Sequence, residues 1–413
     1  RRGPGGTCPA RRTATRTDGV SDFVYMDFAA TSARRPAAVA EAMLGFMTDV
    51  GATPGRGGHR LANEAGRIAL RCRQRVAALL GIPGDPGRIA FMANATHALN
   101  TALRGTVGRG DKVVLTVFDH NAVLRPAARL AVERDVRVAI IPGTPDGHID
   151  EAILDRELDG ARLLVINGAS NVLGTALDIA GLAARARAAG ALSLLDAAQT
   201  AGHLPFDAAA AGIDMLAYTG HKGMLGPQGV GGLWVREGID VEPLLRGGTG
   251  GDSMNRDMPR TLPDRLEAGT QNGPGIAGLA AGIDAVLETG VAAAHARLAD
   301  LKARLREGLA AVPGVRVLSP PAPRGVPIVT IVADGIDPAT LAGRLDREHA
   351  VLTRAGLHCA PEVHRMLGTD RTGAVRFSLG WSSTADDVAR AIQAVDAVVR
   401  PAAASVRWGG GPA

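Results

Sequence analysis

From about residue 88 to residue 237, short β-branched or apolar runs alternate with helical stretches. The runs predict strands at 88–93 (RIAFMA), 112–118 (KVVLTVF), 136–142 (VRVAIIP), 161–167 (ARLLVIN), 191–195 (ALSLL), 213–218 (IDMLAY) and 230–235 (VGGLWV). Ala-rich amphipathic helices fit the gaps, for example 121–134 and 178–189. Such alternation predicts an α/β fold, a mostly parallel sheet with helices on both faces. Residues 244–275 are rich in Gly and Pro and read as an extended connection. A long helical stretch follows over about 275–312. Strands near 315–318, 326–332, 350–354 and 374–379, with helices near 338–348 and 384–399, then predict a small α+β domain. The expected organisation is a disordered extension (1–24), a large domain (25–290), a small C-terminal domain (291–400) and a tail (401–413).

Composition changes this picture little. The net charge of +5 suggests a nucleic-acid partner at first sight. The five arginines within residues 1–17 account for all of it, however, and the remaining residues balance. Aromatics make up 3% of the chain, too few for a base-stacking platform, so no nucleic-acid partner is expected. The Arg-rich start reads as a loose extension rather than a transit peptide, because it lacks an amphipathic period. No apolar run approaches the roughly 18 residues of a membrane span. Three cysteines at unrelated spacings (Cys8, Cys72 and Cys359) argue against a disulfide framework and for a reducing compartment, the cytoplasm. His358, Cys359 and His364 do not make a four-ligand zinc set, so no metal is expected. Only three of 46 basic residues are lysines. Lys112 and Lys302 read as ordinary exposed residues. Lys222 invites a reason.

In open α/β sheets, ligands bind beyond the carboxyl ends of the strands. Reading past each predicted strand finds Asn94-Ala95-Thr96-His97, then Asp119-His120-Asn121, then Ser170-Asn171, Asp196-Ala197-Ala198-Gln199 and Thr219-Gly220-His221-Lys222. Each has a bland explanation, since Asp, Asn and Thr begin and cap helices. Five together at one edge suit a cofactor with a phosphate, an aromatic ring and an aldehyde. Thr96 opens a helix whose amides favour an anion, and Thr219 and His221 add donors. Asp196 suits a pyridine nitrogen, Gln199 a ring hydroxyl, and His120 the ring face. Lys222 supplies a nucleophilic amine.

These residues resemble the class V aminotransferases among the fold-type I enzymes that use pyridoxal 5'-phosphate (PLP), and within them the cysteine desulfurase/selenocysteine lyase group. The likeness runs from Tyr25-Met26-Asp27 to about residue 398. It rests on RGGH (56–59), NATHALN (94–100), DHNAVLRP (119–126), SNVLG (170–174), DAAQ (196–199), TGHKGMLGPQGVGGL (219–233), EAGTQN (267–272), RAGLHCAP (354–361) and VRFSLG (375–380). The order and spacing of these segments are more specific than any one of them.

The resemblance implies that Lys222 is the Schiff-base lysine, that Asp196 holds the pyridinium, that His120 stacks on the ring and that Gln199 contacts its hydroxyl. Ala95 (through its amide), Thr96, Thr219 and His221 would hold the phosphate. Thr270 would reach it from the other subunit of a homodimer, with Arg56 near the same interface. Arg376 would fork onto the substrate carboxylate, with Asn171 and Arg354 also counted as substrate-binding and Asn171 as a cofactor contact. Cys359 would accept sulfur from L-cysteine as a persulfide, releasing alanine. Its thiolate needs an accessible loop and a positive surrounding, which Arg354, His358 and Gly356 would provide. The loop resembles the short type that passes sulfur to a scaffold or relay protein.

Three departures bear on substrate range and partner: His97 replaces a common acid, Asn167-Gly168 a stretch that often holds His, and Trp381-Ser382-Ser383 a usual Asn-Thr pair. Selenocysteine lyase chemistry uses the same apparatus. A specialised C–S lyase, epimerase or aminotransferase-like tailoring enzyme, or a PLP-binding scaffold protein, are the rival readings.

Overall fold

The computed structural model describes residues 23–55, 57–251, 254–321 and 325–406. Arg56 and the extension over 1–22 lie outside the described residues. The chain begins with β1 (Val24–Tyr25), α1 (Ala37–Gly45) and, after a π-helical turn at Phe46–Val50, the long α2 (Arg60–Leu80). Alternation follows: β2 (Ile89–Met92), α3 (Ala95–Thr106), β3 (Lys112–Thr116), α4 (Asn121–Arg134), β4 (Arg137–Ile141), α5 (Glu151–Leu158), β5 (Leu163–Asn167), α6 (Ile179–Ala188), β6 (Leu192–Asp196), α7 (Ala208–Ala211), β7 (Met215–Thr219) and β8 (Gly231–Val235). All seven predicted strands form one sheet, ordered β2-β8-β7-β6-β5-β3-β4, in which only β8 runs against its neighbours.

Period-two geometry divides the side chains of this sheet between two cores. On β5, Leu164 and Ile166 join the cluster beneath α2 and α6, while Leu163 and Val165 join the one beneath α3 and α4. Both faces are buried, as a helix-covered parallel sheet requires. The edge strand β2 is buried and capped rather than left open. The backbone N–H of Phe91 donates to Glu267 Oε1 (2.6 Å), and that carboxylate also takes Arg73 Nη2 (2.6 Å).

No helix or strand occurs between β8 and α8 (Gly273–Thr289) among the described residues. The helical stretch predicted as one is two: α8 and α9 (Val291–Ala310) meet at a 78° bend. Gly290, at φ 79°, lies in a region closed to most side chains and ends α8 there. Then come β9 (Val315–Val317), β10 (Ile328–Ala333), α10 (Pro338–His349), β11 (Val351–Leu352), β12 (Arg354–Gly356), α11 (Pro361–Leu367), β13 (Ala374–Ser378) and α12 (Ala385–Val406). A second sheet, β12-β13-β10-β9, is antiparallel throughout. The single strand predicted at 350–354 is divided: β11 pairs with β1, and β12 pairs with β13. The first residues of the described chain therefore pack with the last hundred or so, and Val24 and Met26 share a core with Leu345, Phe377 and Val395. Among the described residues no single helix is long and apolar enough to cross a membrane.

Candidate active site

The carboxyl ends of the parallel strands open into a cavity of about 240 Å³. Ala95, Thr96, His120, Asn171, Asp196, Gln199, Thr219, His221 and Lys222 all line it. Cys359, Arg354 and Arg376 stand on the second sheet or the loop after it, and Thr270 lines neither group; it is exposed on the connection before α8.

Each wall residue is placed by the end of an element. At the start of α3, Asn94 Oδ1 accepts from His97 N (3.0 Å), so the amides of Ala95 and Thr96 remain outside the helix's own bonding. At the start of α4, His120 Nδ1 accepts from Ala122 N (3.0 Å), which puts the neutral ring's proton on Nε2. Burial, then the charge of Lys222, lowers its pKa to about 4, so the ring is uncharged at neutral pH. Asp196 ends β6 and accepts from Ala198 N (2.9 Å). Burial raises its pKa, opposed by that N–H and by Lys222. Gln199 donates Nε2 to Ala29 O (3.1 Å), which fixes the amide and leaves its oxygen for another donor. Thr219 ends β7 with its hydroxyl buried and without a partner. A buried hydroxyl left unpaired is costly unless something else takes it.

Lys222 follows β7 in a turn tied to the start of the chain, where Ser32 Oγ donates to Lys222 O (2.9 Å). Burial lowers its pKa to about 8; Asp196 resists, while Arg376 and Arg354 push further down. An amine in that range is partly free base near neutral pH and nucleophilic. The other two lysines depart from expectation. Lys302 is 6% exposed rather than exposed, and Lys112 is largely covered beside Glu157 (3.9 Å). Their long apolar stems make burial possible where sequence context suggests a surface position.

Arg376, almost wholly buried, lies opposite Arg354 in the β12–β13 ladder. Its Nη2 donates to Asp27 Oδ1 (2.6 Å) and its Nη1 to Asn171 O (3.1 Å), while Nε is buried without a partner. Asp27 was visible in the opening motif, but nothing in the sequence signalled that it would face a residue 349 positions away. The loop after β12 reaches back to the cavity wall. Asn121 N donates to Cys359 O (2.7 Å), and Asn171 Nδ2 donates to His358 O (2.6 Å). Cys359 is exposed and free. His358 does not supply the positive surrounding expected of it. Its ring is buried, Nε2 lies 3.1 Å from Arg354 O, and its pKa is lowered to about 3, by burial first and then by Arg376. That leaves Arg354 as the cation beside the loop.

The profile of the aminotransferase class-V family matches residues 24–391. A probable cysteine desulfurase of Mycobacterium leprae is 33% identical over 91% of this chain and 92% of its own length. A probable cysteine desulfurase of Pyrococcus abyssi is 33% identical over 92% and 95%. Among solved structures, the cysteine desulfurase of Thermococcus onnurineus superposes with a TM-score of 0.85 at 31% identity, covering 92% of this chain and 95% of that one.

Proposed function

The chain belongs to the aminotransferase class-V family, and from that premise we propose that it is a PLP-dependent cysteine desulfurase. The net reaction takes L-cysteine and the Cys359 thiol to L-alanine and a Cys359 persulfide. The Cβ–Sγ bond of the substrate breaks, an S–S bond forms on Cys359, and the substrate carbon takes up hydrogen, so that no outside oxidant or reductant is needed. The observation that carries this reading is the fastening of the Cys359 loop to the wall of the Lys222 cavity through Asn121 and Asn171. A loop so fastened supports a thiol that would meet a substrate held over Lys222.

The residues present fit PLP. The orphaned Thr219 hydroxyl and the spare amides of Ala95 and Thr96 suit a phosphate. Asp196 suits a pyridine nitrogen, the free Gln199 oxygen a ring hydroxyl, and Lys222 an aldehyde. When bound, the cofactor supplies an electron sink for the substrate's α-carbon. The protein does the rest. Lys222 would hold and return a proton at that carbon, uncharged His120 would lie against the cofactor without competing for charge, and Arg376 with Asn171 would orient the substrate carboxylate. Arg354 keeps positive charge beside Cys359, favouring its thiolate.

The decisive comparison is between the unaltered protein and Cys359→Ser. The variant should still bind PLP and cysteine yet form neither alanine nor a chain heavier by one sulfur, because a hydroxyl is a poor nucleophile towards sulfur. Alanine from the variant at the unaltered rate would refute the assignment.

A homodimer is part of the proposal. Exposed apolar side chains at Leu44 and Met47, 58% and 65% exposed, and at Leu61 and Leu70 on α2 support a second copy. Thr270 and Arg56 would serve the neighbouring site. An acceptor protein would collect the persulfide, and free Cys72 and Cys359 support a reducing, cytoplasmic setting. A domain boundary at Gly290 is proposed on the 78° bend there.

A further inference from the structure

Behind Cys359 lies a row of buried polar groups that the reaction itself does not use. Thr369 Oγ1 is 2.8 Å from His364 Nδ1, His364 Nε2 is 3.4 Å from His358 Nδ1, and His358 Nε2 is 3.1 Å from Arg354 O. The two rings are 5.6 Å apart between centroids with planes 26° apart, so the bonding nitrogens lie along the line that joins them. All three side chains are buried.

The far end dictates where every proton sits. Arg354 O is a carbonyl and only accepts, so His358 carries its proton on Nε2 and presents Nδ1 as an acceptor. His364 must then donate from Nε2 and accept at Nδ1. Thr369 is left to donate its hydroxyl. Burial, the largest cause, lowers the pKa of both rings, so both imidazoles are neutral and each carries the single proton assigned above. The charged or titratable neighbours are Arg376, Arg354 and His364 around His358, and Asp370 near His364. The row is anchored at its start as well: Thr369 N donates to His364 O (2.8 Å), and Gly373 N donates to Thr369 O (2.7 Å).

What the row supports is an unusual backbone. His358 and Cys359 stand in succession at φ 50° and 59°, a left-handed conformation that side chains other than glycine adopt at a cost. Two such residues together need outside restraint. The carbonyls of this pair reach Asn171 and Asn121, and those contacts fasten the Cys359 backbone to the cavity wall.

Building on the desulfurase reading, we propose that Thr369, His364 and His358 form a one-directional chain of neutral hydrogen bonds that positions the Cys359 loop, and that the two histidines are positioning residues rather than proton carriers. His358 therefore fixes its neighbour through a buried ring bonded to Arg354 O and His364.

The test uses PLP-loaded protein and two readouts: amide hydrogen exchange over 355–360, and alanine formation from cysteine. Thr369→Val keeps the shape and removes the donor. It should speed loop exchange by about fivefold to tenfold, the loss of one buried hydrogen bond, and lower kcat with little change in KM. Thr369→Ser should restore both. At 364, Gln can accept and donate along the same line, so His364→Gln should retain function that His364→Leu loses. Folded Thr369→Val with unaltered loop exchange overturns the proposal. So does a serine variant as impaired as the valine one, since packing rather than the hydrogen bond would then be at work. If the unaltered protein forms no alanine, the desulfurase reading fails, while the exchange arm still decides whether the chain holds the loop.

Discussion

Replacing Lys222 with methionine should abolish activity and yet stabilise the protein at neutral pH. The side chain is half-buried in the cavity wall, and desolvation brings its pKa from 10.5 to about 8 despite the nearby Asp196 carboxylate. Below about pH 8 it is protonated in both folded and unfolded chains, and keeping the charge inside costs roughly 3 kcal/mol at 1.36 kcal/mol per pK unit. The sign follows from proton binding: between about 8 and 10.5 the unfolded chain holds more protons, so stability rises with pH. Above 10.5 the cost is gone. Methionine has similar length and no charge, so Lys222→Met removes the cost at pH 7. Part of the gain is offset, because Asp196 is also buried and loses its counter-charge. It can respond by taking up a proton, which leaves a net gain of about 1–2 kcal/mol. The assay is urea unfolding at pH 7 and pH 10 on protein treated with hydroxylamine and dialysed, so that the amine is free. The variant should be the more stable at pH 7, with an advantage that shrinks towards pH 10. A variant less stable at pH 7, or a difference indifferent to pH, would refute the reasoning.

Two other outcomes probe the rest of the site. Thr219→Val should weaken PLP binding by about ten- to a hundredfold, the range for a hydrogen bond to a charged group, while leaving the stripped protein at least as stable, because the orphaned hydroxyl is gone; an absorbance titration with PLP reads the first and urea unfolding the second. If Thr270 serves the neighbouring subunit, mixing Lys222→Ala and Thr270→Ala chains under conditions of proven subunit exchange should regenerate alanine formation, and no regeneration would count against a shared site.

Much of the cavity could be read along the chain because its walls lie at the ends of strands. Asp196 and Thr219 are the last residues of β6 and β7, and Asn94, His120 and Lys222 follow strand ends within a few positions. Strand ends are local events, marked by the point where an apolar run stops, and a parallel sheet brings them all to one edge. Lys222 stood out for a different local reason, the near absence of lysine from an Arg-rich chain. Recognising Cys359 required the resemblance; its loop offers no periodicity of its own.

What the sequence alone determined, then, was the alternation of strands and helices, the edge at which chemistry collects, and the residues that arrive there by local geometry. The tertiary structure decided which groups meet across the chain. Asp27 faces Arg376, 349 residues on, and Asn171 takes the carbonyl of His358, 187 residues on. It also decided that the run at 350–354 serves two sheets, that α8 and α9 part at Gly290, and that His358 turns inward to His364 instead of outward to the thiol. The physical reason is one of range. Apolar periodicity and caps report energies within a turn or a strand, and they say which face is buried. They carry no information on which distant partner will satisfy a buried charge or amide, because that is chosen only when separate elements pack and every polar group taken from water must find its bond.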